Sequence, residues 1–166
     1  MRHEAVNTAD GAQVDCSPLT AGELRLVFGA NPISVRTALT SICDCLRKLS
    51  LSDEEVGSVE LVLAETLNNI VEHAYSDSGV GEIDVRLQLG ERGLYCSIFD
   101  NGSTMPGGMP PLGMAADPMA DMEDLPEGGF GWFLIRELAK DLQYARAGDR
   151  NQVTFRIAVG MMVAAN

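Results

Sequence analysis

Three short stretches carry residues whose types and spacing could do chemistry. Glu65, Asn69 and His73 recur every fourth residue in ETLNNIVEHAY (65–75). On a helix that spacing leaves each about 40° from the last, so the three form one polar stripe beside the small residues Ala64 and Ala74 and the aromatic Tyr75. Alone, such a stripe is most often a solvated face. Asp100-Asn101-Gly102 follows an apolar run, and a carboxylate at a strand end can accept a hydrogen bond from an exocyclic amine. The glycine beside it lets a planar ring approach the backbone. Gly128-Gly129-Phe130-Gly131 opens another apolar-periodic segment, and glycines at a helix start let backbone amides converge on phosphate oxygens.

The elements that must position these residues can be read from periodicity. Glu23 to Gly29 alternates as a first strand. Asn31-Pro32 then offers a helix cap with proline at the first helical position. Val35, Leu39, Ile42, Leu46 and Leu49 form one apolar stripe of that helix. Ser52-x-x-Glu55 is a capping box for a second helix reaching about Tyr75, with Val56, Val59, Leu63, Leu67, Ile70 and Ala74 on its apolar face. Ile83, Val85, Leu87 and Leu89 alternate as a strand, Glu91-Arg92-Gly93 turns the chain, and Leu94 to Phe99 returns into the Asp-Asn-Gly motif. Residues 103–129 hold five prolines and five glycines without regular period, the mark of a long functional loop or lid. Trp132 to Leu142 recovers helical spacing. Strands are expected around Gln143 to Arg146 and Val153 to Val159, joined by Gly148-Asp149. Hairpins outnumber strand-helix alternations, so the expected class is α+β, a largely antiparallel sheet with helices on one face.

Composition narrows the partners. The 166 residues suit one domain, with residues 1–21 expected as a flexible tail and 22–166 as the folded unit. Twenty-four acidic against 12 basic residues give a net charge of −12, which argues against a nucleic-acid surface and points to a protein partner. No run approaches the ~20 apolar residues that a membrane span requires, and no secretory segment is evident, so the cytoplasm is the expected compartment. Cys16, Cys43, Cys45 and Cys96 do not read as a disulfide framework. Cys43 and Cys45 would stand about 200° apart on a helix and could not share a metal there, so buried free thiols are expected.

Taken together, ETLNNIVEHAY (65–75), IFDNGS (98–103) and EGGFGWFLIRELAKDLQY (127–144) resemble the N box and the two glycine boxes of the GHKL ATPase superfamily. Within it the likeness is to anti-sigma factors of the RsbW/SpoIIAB type, which have serine kinase activity, and it runs over about residues 23–160 in order and spacing. The resemblance implies a Bergerat fold, a two-layer α/β sandwich with a long ATP lid. It implies that Asn69 holds Mg²⁺, that Glu65 activates the attacking hydroxyl, and that Asp100 reads the adenine amine with Gly102 beside the ring. Gly128, Gly129 and Gly131 correspond to the phosphate-holding glycines, and His73 to the end of the N box. The implied reaction transfers the γ-phosphate of ATP to a serine or threonine of an anti-anti-sigma (STAS) protein. A sigma factor is the implied alternative partner and a homodimer the implied assembly. An ATP-gated binding module without catalysis is the rival reading.

Departures from the family pattern are specific. Asp100-Asn101-Gly102 continues as Ser103-Thr104-Met105-Pro106, and Trp132 stands where leucine is usual. Between Ser103 and Ile135 there is no Lys or Arg, while Asp117, Asp121, Glu123, Asp124 and Glu127 are acidic. ATP binding is therefore expected to lean on Mg²⁺ and backbone amides.

Overall fold

Backbone alternation in four stretches of chain builds one face of a sheet. In the computed structural model, which describes residues 6–8, 23–76, 80–113 and 130–160, strands β1 (Val6–Thr8), β2 (Leu24–Gly29), β3 (Glu82–Gly90), β4 (Gly93–Asp100), β5 (Ala139–Ala147) and β6 (Arg150–Ile157) form a six-stranded sheet ordered β1-β2-β3-β4-β6-β5. The β1–β2 pair is parallel and every other pair antiparallel. Leu24, Leu26 and Phe28, then Ile83, Val85 and Leu87, then Leu94, Cys96 and Ile98, then Val153, Phe155 and Ile157 alternate inward and are buried. Helices α1 (Pro32–Lys48), α2 (Asp53–Asn69) and α3 (Phe130–Leu138) cover that face with Ile42, Leu46, Leu63, Leu67 and Ile135 in one continuous core. The expected α+β class, a largely antiparallel mixed sheet with helices on one face, is the architecture observed.

Both helix starts follow from local chemistry. The Asn31 side chain accepts from the Ser34 amide at 2.9 Å, and Pro32 supplies the first helical φ. At α2 the Ser52 amide donates to the Glu55 carboxylate at 2.8 Å, and the Glu55 amide donates to Ser52 Oγ at 3.2 Å. Glu55 also accepts from the Gly160 amide at 2.8 Å, tying the chain after β6 to the α2 start. These two backbone amide bonds, to Ser52 and Gly160, hold its carboxyl below the usual range.

Three expectations need correction. Val6–Thr8, inside the stretch read as a flexible tail, pairs with Arg25–Val27 as an edge strand. The helix expected from Trp132 to Leu142 ends at Leu138. Strand β5 begins at Ala139, with Asp141 at φ 56° and a register shift between Lys140 and Gln143. Leu142 continues the helical spacing only by coincidence: it lies in that register shift, between residues whose pairing with β6 outweighs local helical propensity. Cys43 and Cys96 are free and buried as expected, and burial pushes the Cys43 thiol up to about 11. Cys45, by contrast, is disulfide-bonded.

The opposite face of the sheet carries an ion-pair network. Asp84 is buried, at 8% exposure, and accepts from Arg25, Arg86 and Arg150 at 2.8, 3.2 and 3.1 Å. The Arg86 and Arg150 guanidinium groups lie 4.8 and 4.1 Å from the Phe99 ring centroid. Burial alone would raise the Asp84 carboxyl, but the hydrogen bonds from Arg25 and Arg86 outweigh it, so its pKa is lowered. A carboxyl whose folded pKa is depressed adds stability that is present above its unfolded pKa, about 3.9, and lost as pH falls through the folded value. Urea denaturation is therefore expected to show wild-type stability declining below about pH 4. Asp84→Asn weakens hydrogen bonds to charged partners that are themselves partly exposed, so it should cost about 2 kcal/mol at neutral pH and flatten that acid decline. An unchanged acid slope in the variant would remove Asp84 from the pH response.

Candidate nucleotide site

The N-box residues are positioned by α2 and by a change in helix type at its end. Glu65 and Asn69 lie one turn apart on the last two turns of α2, and Ile70–Ala74 continues as a π-helical turn carrying Glu72 and His73. A π turn is wider than the α turn assumed from spacing, so the simple 40° stripe holds from Glu65 to Asn69 and is re-aimed at His73. Such turns cluster at functional sites.

The π turn ends against the first glycine motif. The Ser103 amide donates to the Ala74 carbonyl at 2.8 Å. A Cβ placed on Gly102 would collide with that same carbonyl. The glycine is thus required by approach of the loop backbone to the N-box helix, a reason independent of any ring. Tyr75 completes the junction: its hydroxyl accepts from the Asn101 amide at 2.9 Å and donates to the Glu82 carbonyl at 3.0 Å. Burial raises its phenol pKa.

Between these elements lies a cavity of about 620 Å³. Asn69, His73 and Asp100 line it, as do Thr66, Trp132 and Asn151. Glu65 and Gly102 are not among the lining residues. Glu65 instead stands against the next element, since a Cβ on Gly131 would run into its carboxylate. Gly131 therefore joins the first turn of α3 to the catalytic candidate on α2. Gly128 and Gly129 lie outside the described residues, as does most of the expected lid. The described lid stem, residues 103–113, is clamped to α3 by Arg136, which donates to the Pro110 and Pro111 carbonyls at 2.7 Å each.

Two polar features bear on ligand binding. Asn69 Nδ2 is buried and has no hydrogen-bond partner among the described residues. The two ends of a carboxamide exchange by rotation, so this unpartnered group can present its oxygen to a hard cation, and the donor chemistry fits Mg²⁺. Asp100, 3% exposed, accepts from the Gly102 amide at 2.9 Å and from Asn151 Nδ2 at 2.7 Å, both at Oδ1. Its Oδ2 makes no hydrogen bond among the described residues. Among the described residues no Lys or Arg lines the cavity; the ionisable ones that do, other than Tyr144, are Glu72, His73 and Asp100.

Sequence reasoning missed Asn151 and Tyr144. Asn151 is a single polar residue in the inward row of β6 (Asn151, Val153, Phe155, Ile157), and an asparagine at a buried strand position is itself the signal that could have found it. Tyr144 carries no such mark.

A sheet layered under helices, with a cavity between the end of α2, a strand-end aspartate and residues 103–113, is the arrangement of a histidine kinase-like ATPase domain. The chain belongs to the family described as the histidine kinase-like ATPase domain, which matches residues 28–157. It is similar to the serine-protein kinase RsbW of Oceanobacillus iheyensis, at 28% identity over 117 residues, covering 69% of this chain and 73% of the relative. The serine-protein kinase RsbW of Bacillus mycoides is 32% identical over 101 residues, covering 58% and 60% respectively. A solved structure of the RsbU and RsbW domains of a Mycobacterium tuberculosis protein shares the fold, with a TM-score of 0.57 at 15% identity over 82% of this chain and 32% of that one. Among the described residues no helix is long and apolar enough to cross a membrane.

Proposed function

We propose that the protein is an anti-sigma-factor-type serine/threonine kinase that binds Mg-ATP and phosphorylates a STAS partner. The observation that carries this reading is the convergence of Asn69, with its unpartnered buried amide, and Asp100, with its open Oδ2, on one cavity. Asp100 Oδ2 accepts from the adenine amine. Asn69 supplies the amide oxygen for Mg²⁺, which when bound neutralises charge on the phosphates. Glu65, one turn before Asn69, takes the proton from the attacking hydroxyl. The amides of Gly128, Gly129 and Gly131, around the α3 start in the sequence, bind phosphate oxygens. The kinase names of the RsbW relatives support the same assignment. The protein acts in the cytoplasm as a homodimer and exchanges between the STAS protein and a sigma factor.

A second reading is favoured by one feature. Among the described residues no Lys or Arg lines the cavity, so charge neutralisation leans on Mg²⁺ and amides, which suits a protein that binds nucleotide to shape a docking surface without consuming it. Incubation with γ-labelled ATP and STAS proteins of the same genome separates the two: label on a STAS serine or threonine establishes the kinase. Stable complex formation with ATP left intact establishes the binder.

Trp132 offers an optical test of nucleotide binding. It is the chain's single tryptophan, is 7% exposed, and lines the cavity directly after Gly131. Its emission is expected to shift on saturation with Mg-ATP and to stay unchanged when Mg²⁺ is chelated, because the triphosphate then faces acidic residues uncompensated. An unshifted spectrum, in a sample that calorimetry shows to bind Mg-ATP, would disconnect Trp132 and the α3 start from the site.

A further inference from the structure

Asp100 and Asn151 are direct cross-strand partners in the β4–β6 ladder, both on the inward face and both buried, at 3% and 2% exposure. Asn151 Nδ2 donates to Asp100 Oδ1 at 2.7 Å and also lies 3.2 and 3.1 Å from the carbonyls of Gly102 and Ser103. Its Oδ1 accepts from the Tyr144 hydroxyl and from Arg146 Nη1, each at 2.7 Å. The orientation of this amide is chemically determined. A guanidinium only donates, so the end facing Arg146 must be oxygen. The Tyr144 hydroxyl accepts from the Met105 amide at 3.1 Å and gives its own proton to the same oxygen. The NH₂ end is thereby directed at Asp100 and at the start of the lid stem.

From this geometry we infer that Asn151 is a positioning residue for base selection, fixing which carboxylate oxygen of Asp100 meets the base. The inference rests on the reading of Asp100 as the group that recognises adenine. With Oδ1 occupied by the Gly102 amide and the Asn151 amide, the carboxylate cannot rotate without breaking two hydrogen bonds in a buried setting. Oδ2 is left as an acceptor of fixed direction. A 6-amino purine offers that oxygen a donor, whereas a 6-oxo purine offers a second acceptor and meets repulsion. Selectivity of this kind depends on a polar partner held in place, because a carboxylate free to turn could relieve the repulsion.

Calorimetric affinities for ATP and inosine triphosphate, both with Mg²⁺, test the assignment on wild type, Asn151→Ala, Asn151→Leu and Asp100→Asn. Asn151→Ala removes the donor without placing a second carboxylate 2.7 Å from Asp100, and Asn151→Leu removes it while keeping the volume filled. Wild type is expected to prefer ATP by about tenfold or more. Both Asn151 variants should bring the two nucleotides to within about threefold of each other, mainly by weakening ATP. A merely structural role would weaken both nucleotides alike and leave the ratio untouched. Retention of the wild-type ratio in both Asn151 variants, with its collapse in Asp100→Asn, would overturn the role of Asn151 while sparing that of Asp100. Retention in Asp100→Asn as well would overturn the adenine reading and this inference with it.

Discussion

Glu65→Gln is expected to leave Mg-ATP affinity near the wild-type value and to slow phosphoryl transfer by roughly 10²–10⁴, the usual share of a general base. The amide is nearly isosteric, so the contact with Gly131 on α3 survives. What is lost is the ability to take a proton. Asn69→Ala supplies the contrast on the same helix: it should remove the Mg²⁺ dependence of nucleotide binding, because the buried amide is the group available to the cation. Single-turnover transfer to a STAS substrate, measured beside calorimetric binding, distinguishes the two. Equal transfer rates in wild type and Glu65→Gln would take Glu65 out of the mechanism, and a matching loss of affinity would reassign it to holding α3.

The second large effect is expected at Gly102. Adding a single methyl there places Cβ against the Ala74 carbonyl, a backbone atom that no side-chain rotation can move. The loop must withdraw, which breaks the Ser103 to Ala74 hydrogen bond of 2.8 Å and displaces the Asp100 carboxylate, since the Gly102 amide is one of its two donors. Overpacking of this kind costs about 1–3 kcal/mol of stability. Nucleotide affinity should fall with it, about tenfold or more, because the displaced groups belong to the base-recognition corner. Thermal unfolding and calorimetry on Gly102→Ala check both halves. Wild-type affinity in a destabilised variant would mean that Gly102 serves packing alone.

Much of the fold was legible because its determinants are local. The Ser52-x-x-Glu55 box specifies its own two hydrogen bonds within four residues, Asn31-Pro32 caps α1 without outside help, and the alternation in β3 and β4 states which side chains face the core. The site was legible to the extent that it is written in short motifs: Asn69, His73 and Asp100 do share a cavity. Glu65 and Gly102 stand at its margins for reasons of close packing that spacing does not reveal.

By itself, then, the sequence determined the order of strands and helices from β2 onward, the starts of α1 and α2, the inward rows of the central strands and the three motifs that mark a nucleotide site. Each depends on side chains a few residues apart, whose period and capping chemistry act before the chain is folded. Only the tertiary structure decided where α3 gives way to β5, that α2 ends in a π turn, and that Asn151 meets Asp100. The first follows from backbone pairing of β5 with β6. For the last, the β4–β6 register brings together residues 51 apart in the chain, and a hydrogen bond between them has no local trace. Even the Gly102 requirement, visible as a glycine, acquired its cause from the Ala74 carbonyl, on an element 28 residues earlier that only folding brings near.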